Sequence, residues 1–568
     1  MHDLVIRGGT LVDGTGGTRI TGDVAVDGDR ITAVGEVADR GRRQVDAEGL
    51  LVLPGWVDIH THYDGQATWD SELTPSAWHG VTTTVFGNCS VGFAPVRPGS
   101  EPYLISLMEG VEDIPGSVLS EGVEFGWESF ADYLDALERR PRTMDVGAQV
   151  PHAAVRFYVM GDRGAEHAER PTVEEAAAMG RLVADALQAG ALGFTTSRTK
   201  KHRAADGRFT PGLTAGDEEL LTIAEAMGEV GLGVLQANSD FEDPSELGLL
   251  RRMAEVSGRP VSFSLLQVDH APGRWKDLLA GVHDAAAAGV PMRAQVGCRP
   301  IGILMGLEAS LHPFAGHRTF KELGPLSTAE LVGRLRRPEV RARILGEEQH
   351  GGFADWMAHA LTQTFELGDP PDYEPDPARS IAARATRDGV TALELVYDLL
   401  LGDDGRALLY YPFENYSDGH LEPVRTMLTN EHTVSGLSDG GAHVATICDA
   451  SFPTFLLTHW ARDRRRGERV ALELLVRKQT RDTARAVGLH DRGVIAPGLR
   501  ADLNVVDLDG LRLLPPEMVH DLPAGGRRLV QRAAGYRHTF VAGVETYADG
   551  DWTGATPGHL IRGAQPGA

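Results

Sequence analysis

The residues with the plainest chemical potential lie in Pro54-Gly55-Trp56-Val57-Asp58-Ile59-His60-Thr61-His62. Two residues apart on an extended strand, His60 and His62 point to the same face. Two neutral imidazoles so placed can grip a divalent ion such as zinc. A pair of satisfied core histidines is the plain alternative. A second cluster, Thr195 to Arg203, holds Arg198, His202 and Arg203. An arginine fork binds a carboxylate through two hydrogen bonds, so the acidic end of a substrate could dock there. A solvated basic surface is the alternative. Gln236, Asn238 and Gln267 lie near the ends of apolar runs and could hydrogen-bond a substrate amide.

These side chains need a frame that brings distant segments together. Short apolar runs at 55–62, 82–89, 145–152, 191–198, 233–240, 260–267, 291–299 and 433–439 each lead into a helical or loop segment. The helical stretches include 173–189, 217–230, 244–257, 275–288 and 472–487. That alternation predicts an α/β fold, a TIM-like (β/α)8 barrel whose chemistry sits at the C-terminal ends of its strands. The first fifty residues differ, reading as short strands split by Gly and Asp turns, and 501–507 and 538–544 share that texture. Chain termini often meet in space. Residues 1–54 and 490–568 are therefore expected to form one small β-sandwich domain, and 55–489 the barrel. Residues 302–383, rich in Pro, His and Asp, break the rhythm. They are expected to form an insertion near the mouth, as a lid or as a contact in a homo-oligomer.

Bulk properties narrow the partners. The 568 residues carry a formal net charge of −25, which argues against a general nucleic-acid binder, because phosphate contacts need Lys and Arg. No stretch approaches the roughly 20 apolar residues of a membrane span. A small-molecule substrate is the expected ligand. Cys89, Cys298 and Cys448 are the only cysteines; so sparse and odd a set suits a reducing compartment. The opening residues show no basic region followed by an apolar run, so a cytoplasmic location is expected.

Several motifs together resemble the amidohydrolase superfamily, and in particular its N-acyl-D-amino-acid deacylase group. They are Gly8 to Gly16, Pro54 to His62 with Tyr63 and Asp64, Gly87-Asn88-Cys89, Ser438-Asp439-Gly440, and Gly493 to Leu503. The resemblance implies that His60 and His62 bind metal and that Cys89 is a zinc ligand. It also implies that Asp439 binds metal and shuttles the proton of the attacking water. His152, which closes the third run, resembles the family's Gly-His at that point and could polarise the carbonyl or hold the oxyanion. The deacylases carry one metal-binding His at the end of the fifth strand and another at the sixth. Here those places read Val234 to Asp240 and Ser262 to Gln267, without a His. The lysine that helps those enzymes hold the substrate carboxylate falls at about Gln267. The reduced set predicts a single zinc ion on His60, His62, Asp439 and Cys89. Asp269 and His270, just past the sixth run, are conceivable replacements. Lys200 and Lys201 lie too far past the fourth run to serve as a carboxylated bridging lysine. His443 and Asp449 could orient a ligand; His79 and His459 have weaker claims.

The expectation is a metal-dependent hydrolase of a C–N bond in an amide, N-acyl amino acid or cyclic amide, with Asp439 moving the proton. Two alternatives stand beside it. One is deamination of a heterocycle on the same barrel, although the histidines that reaction uses on the fifth and sixth strands are also absent. The other is a metal-poor binding protein on the same scaffold, since a fold alone does not prove a function.

Overall fold

Eight parallel strands pair in chain order to build the barrel. They are Trp56–Asp58, Val81–Phe86, Asp145–Pro151, Gly193–Arg198, Val234–Ser239, Val261–Ser264, Met292–Val296 and Thr433–Ser435, and each overlaps one of the apolar runs read from the sequence. The structure is a computed structural model describing residues 1–324 and 326–567. Residue 325, inside the insertion expected at 302–383, and residue 568 lie outside the described residues. The second and third strands are buried along their whole length, as strands covered on both faces must be. The first and last strands join just beyond their ends. Thr61 and Gly440 form a parallel bridge, the Asp439 N–H donates to His60 O at 3.1 Å, and the His62 N–H donates to Gly440 O at 2.8 Å.

Helices wrap the barrel with clear start and stop signals. Val173–Ala189 begins at a Thr172/Glu175 capping box and ends at Gly190, whose φ of 119° suits glycine. Its buried stripe of Ala176, Met179, Val183, Ala186 and Leu187 lies along one face, at the spacing an amphipathic helix requires. No helix among the described residues is long and apolar enough to cross a membrane.

Both termini contribute to one nine-stranded sheet. Its seam is the antiparallel pairing of Leu51–Pro54 with Leu503–Val506, over an apolar cluster that includes Ile6, Val24, Val52, Val505 and Phe540. A buried charge network ties this sheet to the barrel. Asp145, at the start of the third barrel strand, accepts from Arg492 at 2.7 Å and from Arg500 at 3.0 Å. The barrel thereby gains a fixed floor opposite its chemical face.

Between the seventh and eighth strands lies an inserted unit with a core of its own, including Met305, Phe314, Leu335, Met357, Tyr397 and Tyr411. Gly302–Met305, Phe365–Glu366 and Leu409–Pro412 form its three-stranded sheet. Gly302–Met305 pairs with Leu409–Pro412, so the unit runs past residue 383. The helices Ile381–Asp388 and Ala392–Leu400 have the spacing of ordinary barrel helices; the strand pairing, and the packing of Ile381, Val396, Tyr397 and Leu400 into this core, assign them to the insertion.

Candidate metal centre

The histidine pair does not lie within the first strand, which ends at Asp58. It follows in the extended segment that closes the barrel, and both rings are buried. His60 Nδ1 lies 2.7 Å from Gln295 Oε1 on the seventh strand, and Gln295 in turn donates to Ser262 Oγ at 3.0 Å. An amide oxygen can only accept, so it fixes a proton on Nδ1 and leaves the Nε2 lone pair facing inward. That Nε2 lies 3.4 Å from Cys89 Sγ and 3.5 Å from Asp439 Oδ1. His62 Nε2 lies 3.6 Å from the same Asp439 oxygen. One ligand atom from each of His60, His62 and Cys89 falls within 4.8 Å of the others.

Local backbone geometry aims these groups. Cys89, Leu437, Asp439 and His443 have φ of 53°, 61°, 48° and 48°, a region that non-glycine residues enter at a cost of about 1–3 kcal/mol each and that recurs at functional sites. Gly87 must be glycine, because a Cβ there would lie 2.2 Å from Gln149 O. Asn88 then donates to Thr61 O and Val85 O, both at 3.1 Å. That holds the second strand's end, and with it Cys89, beside the histidines.

Glu112 was not singled out by sequence, since it sits at the end of the helix Glu101–Glu112 with no motif around it. The fold buries it at 1% exposure, with Oε1 3.2 Å from His62 Nδ1 and Oε2 3.5 Å from His443 Nε2. The two atoms face each other without forming a hydrogen bond, and neither His62 Nδ1 nor Glu112 Oε1 has a hydrogen-bond partner among the described residues. Gln295 was missed for the same reason: a glutamine inside an apolar strand carries no spacing signal.

The electrostatics are those of a buried, acid-rich pocket. Burial would raise the Asp439 carboxyl, but the neighbouring imidazoles of His62, His60 and His443 outweigh it and hold it below its ordinary range. Burial pushes His62 down to about 4 and Asp58, which accepts from Ser438, up to about 7. Burial, aided by the charges of Glu112 and Asp439, holds the Cys89 thiol well above its ordinary value. The donor set of two imidazoles, a thiol and a carboxylate fits a zinc-class cation.

These groups open into a cavity of about 220 Å³. His60, His62, Cys89, Asp439, Glu112 and His443 line it, with Asn238 and Ser264 from the fifth and sixth strands. No histidine of the fifth or sixth strand lines it. Asn238 donates to Cys89 Sγ at 3.8 Å. Of the expected substrate contacts, Asn238 and His202 line the cavity, His202 with Nδ1 2.9 Å from Ser197 Oγ.

The others lie elsewhere. His152 is fully buried with both nitrogens engaged, by Thr196 Oγ1 and Glu219 Oε1 at 3.0 Å each, so it has no free nitrogen for a carbonyl. Arg198 donates to Ala215 O at 2.6 Å and faces Glu246 at 3.4 Å. Arg203 donates to Gly207 O at 3.1 Å and stacks on Phe209 at 3.7 Å. Gln267 donates to Asp418 at 3.0 Å, and Gln236 to Ala237 O at 3.2 Å. Asp269 accepts from Ser417 at 2.6 Å, and His270 is exposed. Asp449 is paired with Arg299 at 3.0 Å, His459 with Glu374 at 3.0 Å. His79 is hydrogen-bonded at both nitrogens, 2.8 Å each. Each of these side chains except His270 is held to the scaffold by a local partner.

Comparison with known proteins gives the family. A model of the amidohydrolase family matches residues 43–547. A D-aminoacylase of Alcaligenes xylosoxydans xylosoxydans is 27% identical over 571 residues, spanning 98% of this chain and 97% of its own. An N-acyl-D-glutamate deacylase of the same organism is 28% identical, spanning 89% and 88%. Crystal structures of D-aminoacylase superpose with a TM-score of 0.64, at 26% and 25% identity, over 99% of this chain and 100% of theirs. One of these is described as having a binuclear metal centre with one-metal activation and second-metal attenuation.

Proposed function

The chain belongs to the amidohydrolase family, and from that premise we propose that its cavity hydrolyses the C–N bond of an N-acyl or cyclic amide with a single divalent metal ion, zinc, as cofactor. The observation that carries this is the convergence of His60 Nε2, His62 Nε2, Cys89 Sγ and Asp439 Oδ1 on the wall of the cavity. His60, His62, Cys89 and Asp439 would hold the ion. When bound, such an ion polarises a carbonyl as a Lewis acid and lowers the pKa of water.

This chain's own groups supply the rest. Asp439, exposed to the cavity at 14% and held ionised by its imidazole neighbours, takes a proton from the attacking water at Oδ1 or Oδ2. Water oxygen forms the new bond to the carbonyl carbon, the C–N bond breaks, and Asp439 returns the proton to the leaving nitrogen. Gln295 orients His60. Glu112 stands behind His62, with Oε1 3.2 Å from Nδ1, the place that carboxylates take behind metal-binding imidazoles. Leu437, Ile447 and Val111, which also line the cavity, keep bulk water from the reacting atoms.

The test is a screen of purified protein, stripped by chelator and reloaded with zinc, against N-acyl amino acids of both hands and cyclic amides. Zinc-dependent release of an amine or ring opening is the expected result. Protein that binds no zinc and hydrolyses none of these, while remaining folded, would exclude the reading.

A further inference from the structure

The cavity wall carries information on the substrate that the metal centre does not. Lys201 is the only lysine or arginine lining it among the described residues, and it forms an ion pair with Glu414. Glu414 lines the same wall and is only 5% exposed, so drawing Lys201 towards another anion would leave a buried carboxylate unpaired. Burial would lower the Lys201 ammonium, but Glu414 outweighs it and holds it above its ordinary value. Arg274, the next cation acting on Lys201, donates to Asp240 O at 2.7 Å and does not line the cavity. Arg198, Arg203 and Gln267 are engaged with other groups, as described above.

Around the ion pair the wall is apolar. Val111, Leu266, Ile301, Ile303, Phe413 and Ile447 line it. Ile301, Ile303 and Phe413 stand at the foot of the inserted unit, where the Phe413 N–H donates to Ile301 O at 2.9 Å. The volume of about 220 Å³ falls below the roughly 300–1,000 Å³ of sites for drug-sized ligands. An anionic substrate would enter a small, low-dielectric space that already holds the carboxylates of Asp439 and Glu414.

We propose that the substrates of this cavity are small, uncharged amides bearing an apolar group, not N-acyl amino acids with a free carboxylate. The apolar group packs on Ile301, Ile303 and Phe413, and Glu414 keeps Lys201 from gripping an anion. This assignment of substrate class rests on the hydrolytic reading of the site.

A matched pair tests it: N-acetyl-leucinamide and N-acetyl-leucine, each in both hands, titrated calorimetrically into zinc-loaded protein, with turnover measured alongside. The carboxamide is expected to bind at least tenfold tighter than the carboxylate. In Glu414→Gln, which frees Lys201, affinity for the carboxylate is expected to rise at least tenfold. Equal or tighter binding of the carboxylate by the wild-type protein overturns the proposal, as does binding of neither member. The wild-type ratio decides even if the variant fails to fold. Binding of the carboxamide without hydrolysis of either compound counts against the hydrolytic reading and leaves this ratio standing.

Discussion

At the scale of single residues, the site is a set of side chains made useful by their partners. Asp439 is the clearest case, since its carboxylate faces both His60 and His62 from a left-handed backbone position. Asp439→Asn keeps the shape but cannot take a proton, so kcat/KM on any amide the protein hydrolyses is expected to fall by about 10²–10⁴-fold or more. Unchanged turnover would remove Asp439 from the mechanism. Gln295 makes a subtler prediction. Its amide oxygen fixes the protonated nitrogen of His60 at 2.7 Å. Gln295→Leu should weaken zinc binding by about 10–100-fold, read by competition with a coloured chelator. An unaltered affinity would mean that the ring is held by packing alone. The same reasoning shows why His152 is not part of the site: Thr196 and Glu219 already occupy both of its nitrogens.

At the scale of elements, strand ends present the chemistry and loops lock it in place. The inserted unit matters here because it supplies cavity wall from Ile301, Ile303 and Phe413. It is anchored by Glu374, which accepts from buried Arg464 at 3.1 Å, from the Leu421 N–H at 2.9 Å and, at 3.0 Å, faces His459. Burial would raise this carboxyl, but His459, Arg464 and the Leu421 N–H outweigh it and bring it from 4.5 down to about 2. A depressed carboxyl stabilises the fold above its unfolded value, and the contribution is lost as pH falls towards the folded one. Glu374→Gln should therefore cost about 3 kcal/mol at pH 7, by leaving buried Arg464 with only the more exposed Glu422 as a charge partner. The difference in melting temperature from wild type should shrink between pH 4.5 and pH 2. A gap constant over that window would show that the charge of Glu374 is not what anchors the unit.

At the scale of the whole molecule, metal binding and stability are coupled, because the ligands come from opposite ends of the barrel sequence and meet only in the folded chain. Zinc at a hundredfold excess over its dissociation constant stabilises by about 2.7 kcal/mol. Chelator treatment should lower the melting temperature by about 2 °C or more, and zinc should restore it. Equilibrium dialysis should give close to one zinc per chain; two tightly held ions would contradict the reduced ligand set. The sequence by itself determined the barrel and the place of its chemistry. Eight apolar runs, glycine turns and the His60–His62 spacing are local signals, and the forces that act on them are local too. Cys89 and Asp439 were legible because each lies in a short motif at a strand end. Only the tertiary structure decided the rest. Glu112 behind His62, Gln295 behind His60, and Lys201 held by Glu414, 213 residues away, are pairings between distant segments with no periodicity to announce them. The basic groups Arg198 and Arg203 read from sequence as anion grips, yet nearer partners hold them away from the cavity. A side chain's type fixes what it can do. Which partner it meets, and so whether it is free to do it, depends on packing between elements that the linear order does not encode locally.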